Sequence, residues 1–223
     1  MTWFRNRLLL TFRDWISNPY LAWRKKEKMI AWLNLLVLLF SSLAFLAFYV
    51  RSVSPAFLEK INPGKGYRSC FILRSVAILF EMITLACYVI YYYNPIPVPF
   101  PAQFPWSWWI SLVIALVIGI PATTLMIIGM KDAGEEMARP KPEHTMYSGI
   151  YDRIRHPQAA GEVFLWLVAA LLLNSPFLAI YSLVFFPICV VFCWAEEQDL
   201  LLRFGEPYAE YIQKTGAWWP KRS

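Results

Sequence analysis

The sequence predicts an all-α integral membrane protein of about five transmembrane helices, the last two forming a helical hairpin. Three observations carry that expectation. Of the 223 residues, 58% are hydrophobic and only 16% charged, with a mean hydropathy of +0.44; a soluble domain carries roughly 25% charged and 45–50% apolar residues. Uncharged runs recur at lengths that fit a bilayer, whose hydrocarbon core takes about 20 helical residues. The longest run, 163–195, is broken by Asn174-Ser175-Pro176, a turn signal that divides it into two helices.

Residues 1–28 read as an interfacial amphipathic segment. Trp3, Phe4, Leu8, Leu9, Phe12, Trp15 and Ile16 interleave with Arg5, Arg7 and Arg13, and Asn18-Pro19 closes the pattern. This basic, aromatic start lacks the apolar core of a cleavable signal peptide. Residues 29–223 then form a single membrane domain. The first span, 29–50, carries no charge and has Trp32 and Tyr49 at its two interfaces. A basic loop broken by Pro55 and Pro63 leads to the second span, 70–93, with Arg74 near one end. Glu81 falls about 16 Å along that helix, near mid-bilayer. An intramembrane carboxylate is either functional or bonded to a neighbouring span, where Asn34, Ser41 and Thr123 are the candidate partners.

The uncharged, proline-rich stretch 94–105 is a tight connector, and the third span, 106–130, opens with Trp106, Trp108 and Trp109 and contains Pro121. After the long charged loop 131–155 come the fourth span, 157–173, and the fifth, 177–195, with Pro187 as the position for a kink. The tail is an amphipathic helix with Leu200, Leu201 and Phe204 on one face. Gly205 stops it, a short helix restarts at Pro207, and Trp218-Trp219 anchor the end.

A net charge of +6, with basic residues flanking the apolar runs, points to anionic lipid headgroups and away from nucleic acid. Cys70, Cys87, Cys189 and Cys193 lie in or beside apolar segments with no histidine close in sequence, so no metal site is expected. With five spans the termini lie on opposite faces. The loops 51–69 and 131–157 share a face with the tail, and that face holds most of the 21 Lys and Arg, which makes it cytosolic.

The polar hinge 150–162 organises the chain. Proline at a first helical position fixes φ and needs no N–H partner, so Pro157 opens the fourth span and His156 sits just outside it. Free N–H groups and the helix dipole there favour an anion, and Arg155 adds a fixed positive charge. The hairpin returns the chain to the face it left, which carries Glu196-Glu197 back beside His156-Pro157. Cationic donors and paired carboxylates together suit a zwitterionic ligand.

The ordered set Tyr147-Ser-Gly-Ile-Tyr151-Asp-Arg-Ile-Arg155-His156-Pro157, Glu196-Glu197, Phe204-Gly205-Glu-Pro-Tyr208-Ala-Glu-Tyr211 and Trp219-Pro220 resembles the isoprenylcysteine carboxyl methyltransferase family. These are integral-membrane methyltransferases related to phospholipid methyltransferases. The resemblance covers residues 144–220, about a third of the chain. It implies S-adenosylmethionine as methyl donor, bound at the cytosolic face by the regions 131–157 and 196–220. The implied cofactor contacts are His144, Thr145, Met146, Tyr147, Tyr151, His156, Pro157, Gln158, Ala159, Glu196 and Glu197, with Arg155 and Glu162 near the acceptor as the catalytic candidates. The implied partners are membrane lipids and a lipophilic small molecule or lipidated cysteine as acceptor. The implied location is the cell membrane of a prokaryote or the endoplasmic reticulum of a eukaryote.

Two departures bear on the acceptor. Ala159 stands where the family has tyrosine, leaving room around the cofactor. Phe192 stands where it has the arginine that would pair with a substrate carboxylate. Gly161-Glu162 after the hinge also resembles the membrane sterol reductases, which implies NADPH as the alternative cofactor. A small transporter centred on Glu81 is the non-enzymatic alternative.

Overall fold

A computed structural model describes residues 19–137, 139–143 and 145–221. It is all-helical among these residues, apart from an isolated bridge between Ile154 and Gly216. The order is α1 (Pro19–Ser52), α2 (Pro55–Ile61), α3 (Gly66–Tyr93), α4 (Trp108–Ala133), α5 (Pro157–Leu172), α6 (Pro176–Tyr181), α7 (Phe185–Phe204) and α8 (Glu206–Lys214). Short 3₁₀ turns occupy Gly134–Met137, Gly149–Asp152 and Ser182–Val184.

Among the described residues, four stretches are long and apolar enough to cross a membrane: Lys26–Ser52, Gly66–Tyr93, Trp108–Ala133 and Pro176–Phe204. The fourth expected span is shorter: α5 has 16 residues, or about 24 Å. The helix that carries the first span extends back past Met29 to at least Pro19, because no helix breaker stands between them. The basic stretch 19–28 therefore continues the first span instead of lying apart from it; residues 1–18 of the expected interfacial segment lie outside the described residues. The helix continues through Pro121. In the last span the break falls at Ser182–Val184, just before Pro187. Proline cannot donate to the carbonyl four residues back and its ring crowds it, and the turn on its N-terminal side takes the tighter 3₁₀ pattern.

Packing inverts the soluble pattern. Ala31, Asn34, Leu38, Ser41 and Phe45 face inward along α1, while Leu36, Phe40 and Leu43 face out. On α3 the inward residues Cys70, Ala77, Thr84 and Tyr91 recur every seven positions. The two helices run antiparallel and are joined by Ser41 Oγ to Thr84 Oγ1 at 2.8 Å and by Asn34 Nδ2 donating to Cys87 O at 3.0 Å. Between spans such bonds contribute about 0.6 kcal/mol each. Asn34 and Ser41, two of the candidate partners for Glu81, are thus engaged with other groups.

The α4–α5 pair uses small residues. A Cβ on Gly161 would stand 2.3 Å from Ala122 O, and one on Gly129 would stand 2.9 Å from Gln158 Cγ. Both glycines let the helices approach closely. The hairpin turn forms where expected: Asn174 takes a left-handed φ of 51°, and Ser175 Oγ accepts from Leu178 N at 3.4 Å. Ser111 Oγ donates to Asn174 Oδ1 at 2.6 Å, fixing the turn against α4. Trp166 stacks on Phe185 at 4.1 Å and meets Tyr88 at 5.3 Å, so aromatic rings join α3, α5 and α7 at the centre of the bundle.

Candidate functional site: a charged cleft beneath the hinge

The hinge is built by backbone constraints before any ligand is considered. Gly149 has a φ of 74°, and a Cβ there would meet Asp132 Oδ2 at 2.4 Å. That carboxylate accepts from Ile150 N at 2.8 Å, while Asp152 accepts from Gly149 N at 3.0 Å. The 3₁₀ turn is held to the end of α4 in this way. Downstream, Arg155 N and His156 N donate to Gly216 O and Ala217 O at 2.8 and 3.0 Å. The tail therefore anchors the hinge through main-chain bonds.

His156 is the residue before α5, as Pro157 at the first helical position demands. Its ring is buried, 4% exposed, with Nδ1 3.3 Å from Glu196 Oε2 and Nε2 2.9 Å from Glu197 Oε1. Arg155 Nε donates to the same Glu197 oxygen at 2.6 Å, and its Nη1 donates to Ile212 O at 3.2 Å and also to Thr215 O. The hinge and the exit of the last span meet as the hairpin requires. Burial opposes the imidazolium, but its contacts with Cys193, Glu196 and Glu197 outweigh that and hold its pKa well above the ordinary value. Both ring nitrogens face internal carboxylates, so the anion expected at the hinge is supplied by the protein itself.

Tyr151 is locked by its hydroxyl, which donates to Gly129 O at 3.2 Å and accepts from Gln158 Nε2 at 3.0 Å. Burial raises its pKa. Tyr211 Oη donates to Tyr151 O at 2.6 Å, and burial pushes the Tyr211 hydroxyl up to about 12. Tyr147 lies with its ring 4.8 Å from that of Tyr151.

Beneath these groups lies a cleft of about 740 Å³. Tyr147, Tyr151, Arg155, His156, Gln158, Ala159, Glu162 and Glu196 line it, so eight of the residues singled out from the sequence converge there. A second cleft of about 450 Å³ shares Tyr147, Tyr151, Arg155, His156 and Glu196, and adds Thr145 and Met146. Pro157 and Glu197 line neither. Pro157 is fully buried and packs under Gly129, and Glu197 sits behind His156 and Arg155. His144 lies outside the described residues.

Sequence reasoning missed other lining residues: Tyr49 of α1, Val53 just beyond its end, Arg74 of α3, Met137, Pro140, and Asp199 and Arg203 of α7. Asp199 had a legible signal, since a spacing of three from Glu196 puts both on one helix face. Its carboxylate accepts from Ala56 N at 3.1 Å and Phe57 N at 2.8 Å, capping α2 and holding it over the cleft. Tyr49 meets Phe192 edge to face at 4.7 Å. Glu81 lines neither cleft but lies within electrostatic reach of Glu162.

Comparison of the chain with protein-family models, curated proteins and solved structures finds no match.

Proposed function

We propose that this chain is an S-adenosylmethionine-dependent methyltransferase acting at the cytosolic face on a lipophilic acceptor from the bilayer, in the manner of the isoprenylcysteine carboxyl methyltransferases that residues 144–220 resemble. The observation that carries the reading is one cleft in which carboxylates, guanidinium groups and tyrosine rings converge from α1, α3, α5, α7 and the hinge. The donor set also fits a zwitterion. Glu196 uses one oxygen on His156 and is 36% exposed, which leaves its other oxygen for an ammonium group.

When bound, the cofactor supplies an electrophilic methyl carbon on a sulfonium. The protein's work is to position and to exclude water. His156 holds Glu196 in place, and Gln158 with Tyr151 fixes the floor. Ala159, small where the family has tyrosine, leaves room. Arg155 spends its donors on Glu197 and the tail carbonyls, so it acts by holding the hinge. Glu162, about 7.5 Å inside α5, lines the cleft as the candidate nearest the acceptor. Gly161, which supports the NADPH alternative in sequence, has a packing reason of its own against α4.

Calorimetric titration of the purified chain with S-adenosylmethionine and, separately, NADPH tests the reading. Saturable binding of the former and none of the latter is expected. Glu196→Gln loses a charge-assisted bond worth about 1.5–3 kcal/mol, or tenfold or more in affinity. Binding of NADPH alone, or full S-adenosylmethionine affinity in Glu196→Gln, refutes it.

A further inference from the structure

The outward faces of two spans meet at one pair of polar side chains. On α1 the exposed positions Phe40, Leu43, Ala47 and Arg51 recur at three- and four-residue spacing, which is one helix face. On α7 the exposed positions Val191, Trp194, Gln198 and Leu202 do the same. Arg51 and Gln198 line a single groove with Val50, Phe57, Trp194 and Leu202. Trp194 is 62% exposed, so the groove opens away from the bundle. Arg51 is the next-to-last residue of the span Lys26–Ser52. At a span end, an outward arginine and an outward tryptophan belong at the level of the lipid headgroups.

This groove is separate from the hinge cleft. Ser54 lines the groove while its neighbours Val53 and Pro55 line the cleft, and Asp199 is the one residue common to both. The groove's charge is positive in effect. The Arg51 guanidinium takes part in none of the ion pairs or side-chain hydrogen bonds found among the described residues. Asp199, the only carboxylate in the lining, is 2% exposed and accepts from Ala56 N and Phe57 N. Glu59, the carboxylate of α2, accepts from Gly64 N and Gly66 N. Neither is left to hold a choline or ethanolamine ammonium, whereas a guanidinium and an amide N–H stand ready for phosphate oxygens.

We propose that this groove binds a phospholipid of net negative charge from the adjoining leaflet, its phosphate held by Arg51 with Gln198 and an acyl chain packed on Val50 and Trp194. The site does not depend on the methyltransferase reading.

The test uses the full chain in phosphatidylcholine nanodiscs without cofactor. Brominated-chain phosphatidylglycerol or brominated-chain phosphatidylcholine is added as a minor component, and bromine quenching of Trp194 is read as the difference between wild type and Trp194→Phe. The anionic lipid is expected to quench at about fivefold lower content, the order of effect of one basic residue at headgroup level. Arg51→Gln, which breaks no internal contact, should shrink the preference to within about twofold. Arg68→Gln, which removes an exposed cation near the start of α3 outside the groove, should leave it intact. Equal quenching of Trp194 by both lipids in the wild type would mean ordinary annular lipid and overturns the proposal. So does an undiminished preference in Arg51→Gln, or an equal loss in Arg68→Gln, which would assign the effect to the surface potential of the basic face. Because S-adenosylmethionine is absent throughout, its failure to bind in a separate titration would sink the proposed function and leave this inference standing.

Discussion

Glu196 and Glu197 are adjacent in sequence yet have different surroundings, and neutralising each should separate binding from stability. Glu197 Oε1 takes both Arg155 Nε at 2.6 Å and His156 Nε2 at 2.9 Å, with the carboxylate 17% and the arginine 10% exposed. Glu197→Gln leaves two poorly solvated cations facing a neutral amide. Breaking such a pair costs about 3–5 kcal/mol when fully buried, and partial exposure puts this case near the lower end. At about 2–4 °C per kcal/mol for a chain of this size, the apparent Tm should fall by roughly 6–12 °C. Glu196 has one 3.3 Å contact and is 36% exposed, so Glu196→Gln should cost about 1 kcal/mol or less in stability. Its loss should appear instead as a tenfold or greater drop in S-adenosylmethionine affinity. Differential scanning fluorimetry and calorimetry on the same preparations give both readouts. Equal Tm losses in the two variants, or a stable Glu197→Gln with a collapsed Glu196→Gln, would refute the assignment of holding and binding roles.

Three further outcomes follow from the geometry. Because His156 has a raised folded pKa, its imidazolium contributes stability that is fully present below the unfolded value of about 6.5 and is lost as pH rises through the folded pKa; Tm should therefore decline above neutrality, and a His156→Gln curve that declines as steeply counts against that role. Gly161→Ala puts a Cβ 2.3 Å from Ala122 O, so α4 and α5 must separate and a Tm loss well beyond that of Gly119→Ala, where a Cβ meets only the Val168 side chain at 3.3 Å, is expected; similar losses in both would refute the packing argument. A reporter fused after Ser223 should score cytosolic, and an extracytoplasmic score would remove the topology on which the proposed cofactor site depends.

Much of this protein is readable from one-dimensional rules. The membrane class follows from composition, and the span positions follow from uncharged runs. The Asn174-Ser175-Pro176 turn follows from local chemistry, because its φ and its cap are properties of three residues. The convergence of His156 with Glu196 and Glu197 follows from the hairpin alone: two helices joined by a tight turn must bring their far ends together. Helix boundaries were less legible. Met29 reads as a span start by hydropathy, but hydrogen bonding within a helix ignores hydropathy and continues back to Pro19.

Only the tertiary structure decided which other side chains share the cleft with the hinge. Arg74 reads from sequence as a charge near a span end, and Tyr49 as an interface aromatic. Nothing local says that α1 and α3 pack to put both in one cleft with Glu162. Nor could sequence distinguish Glu196, which lines the cleft, from Glu197, which is consumed behind it by Arg155 and His156. Adjacent positions on a helix point about 100° apart, and which direction is the cleft depends on the neighbours that helix acquires. Local propensity and hydropathy act along the chain, while the pairing of charges across a site is settled by helix packing between segments far apart in it.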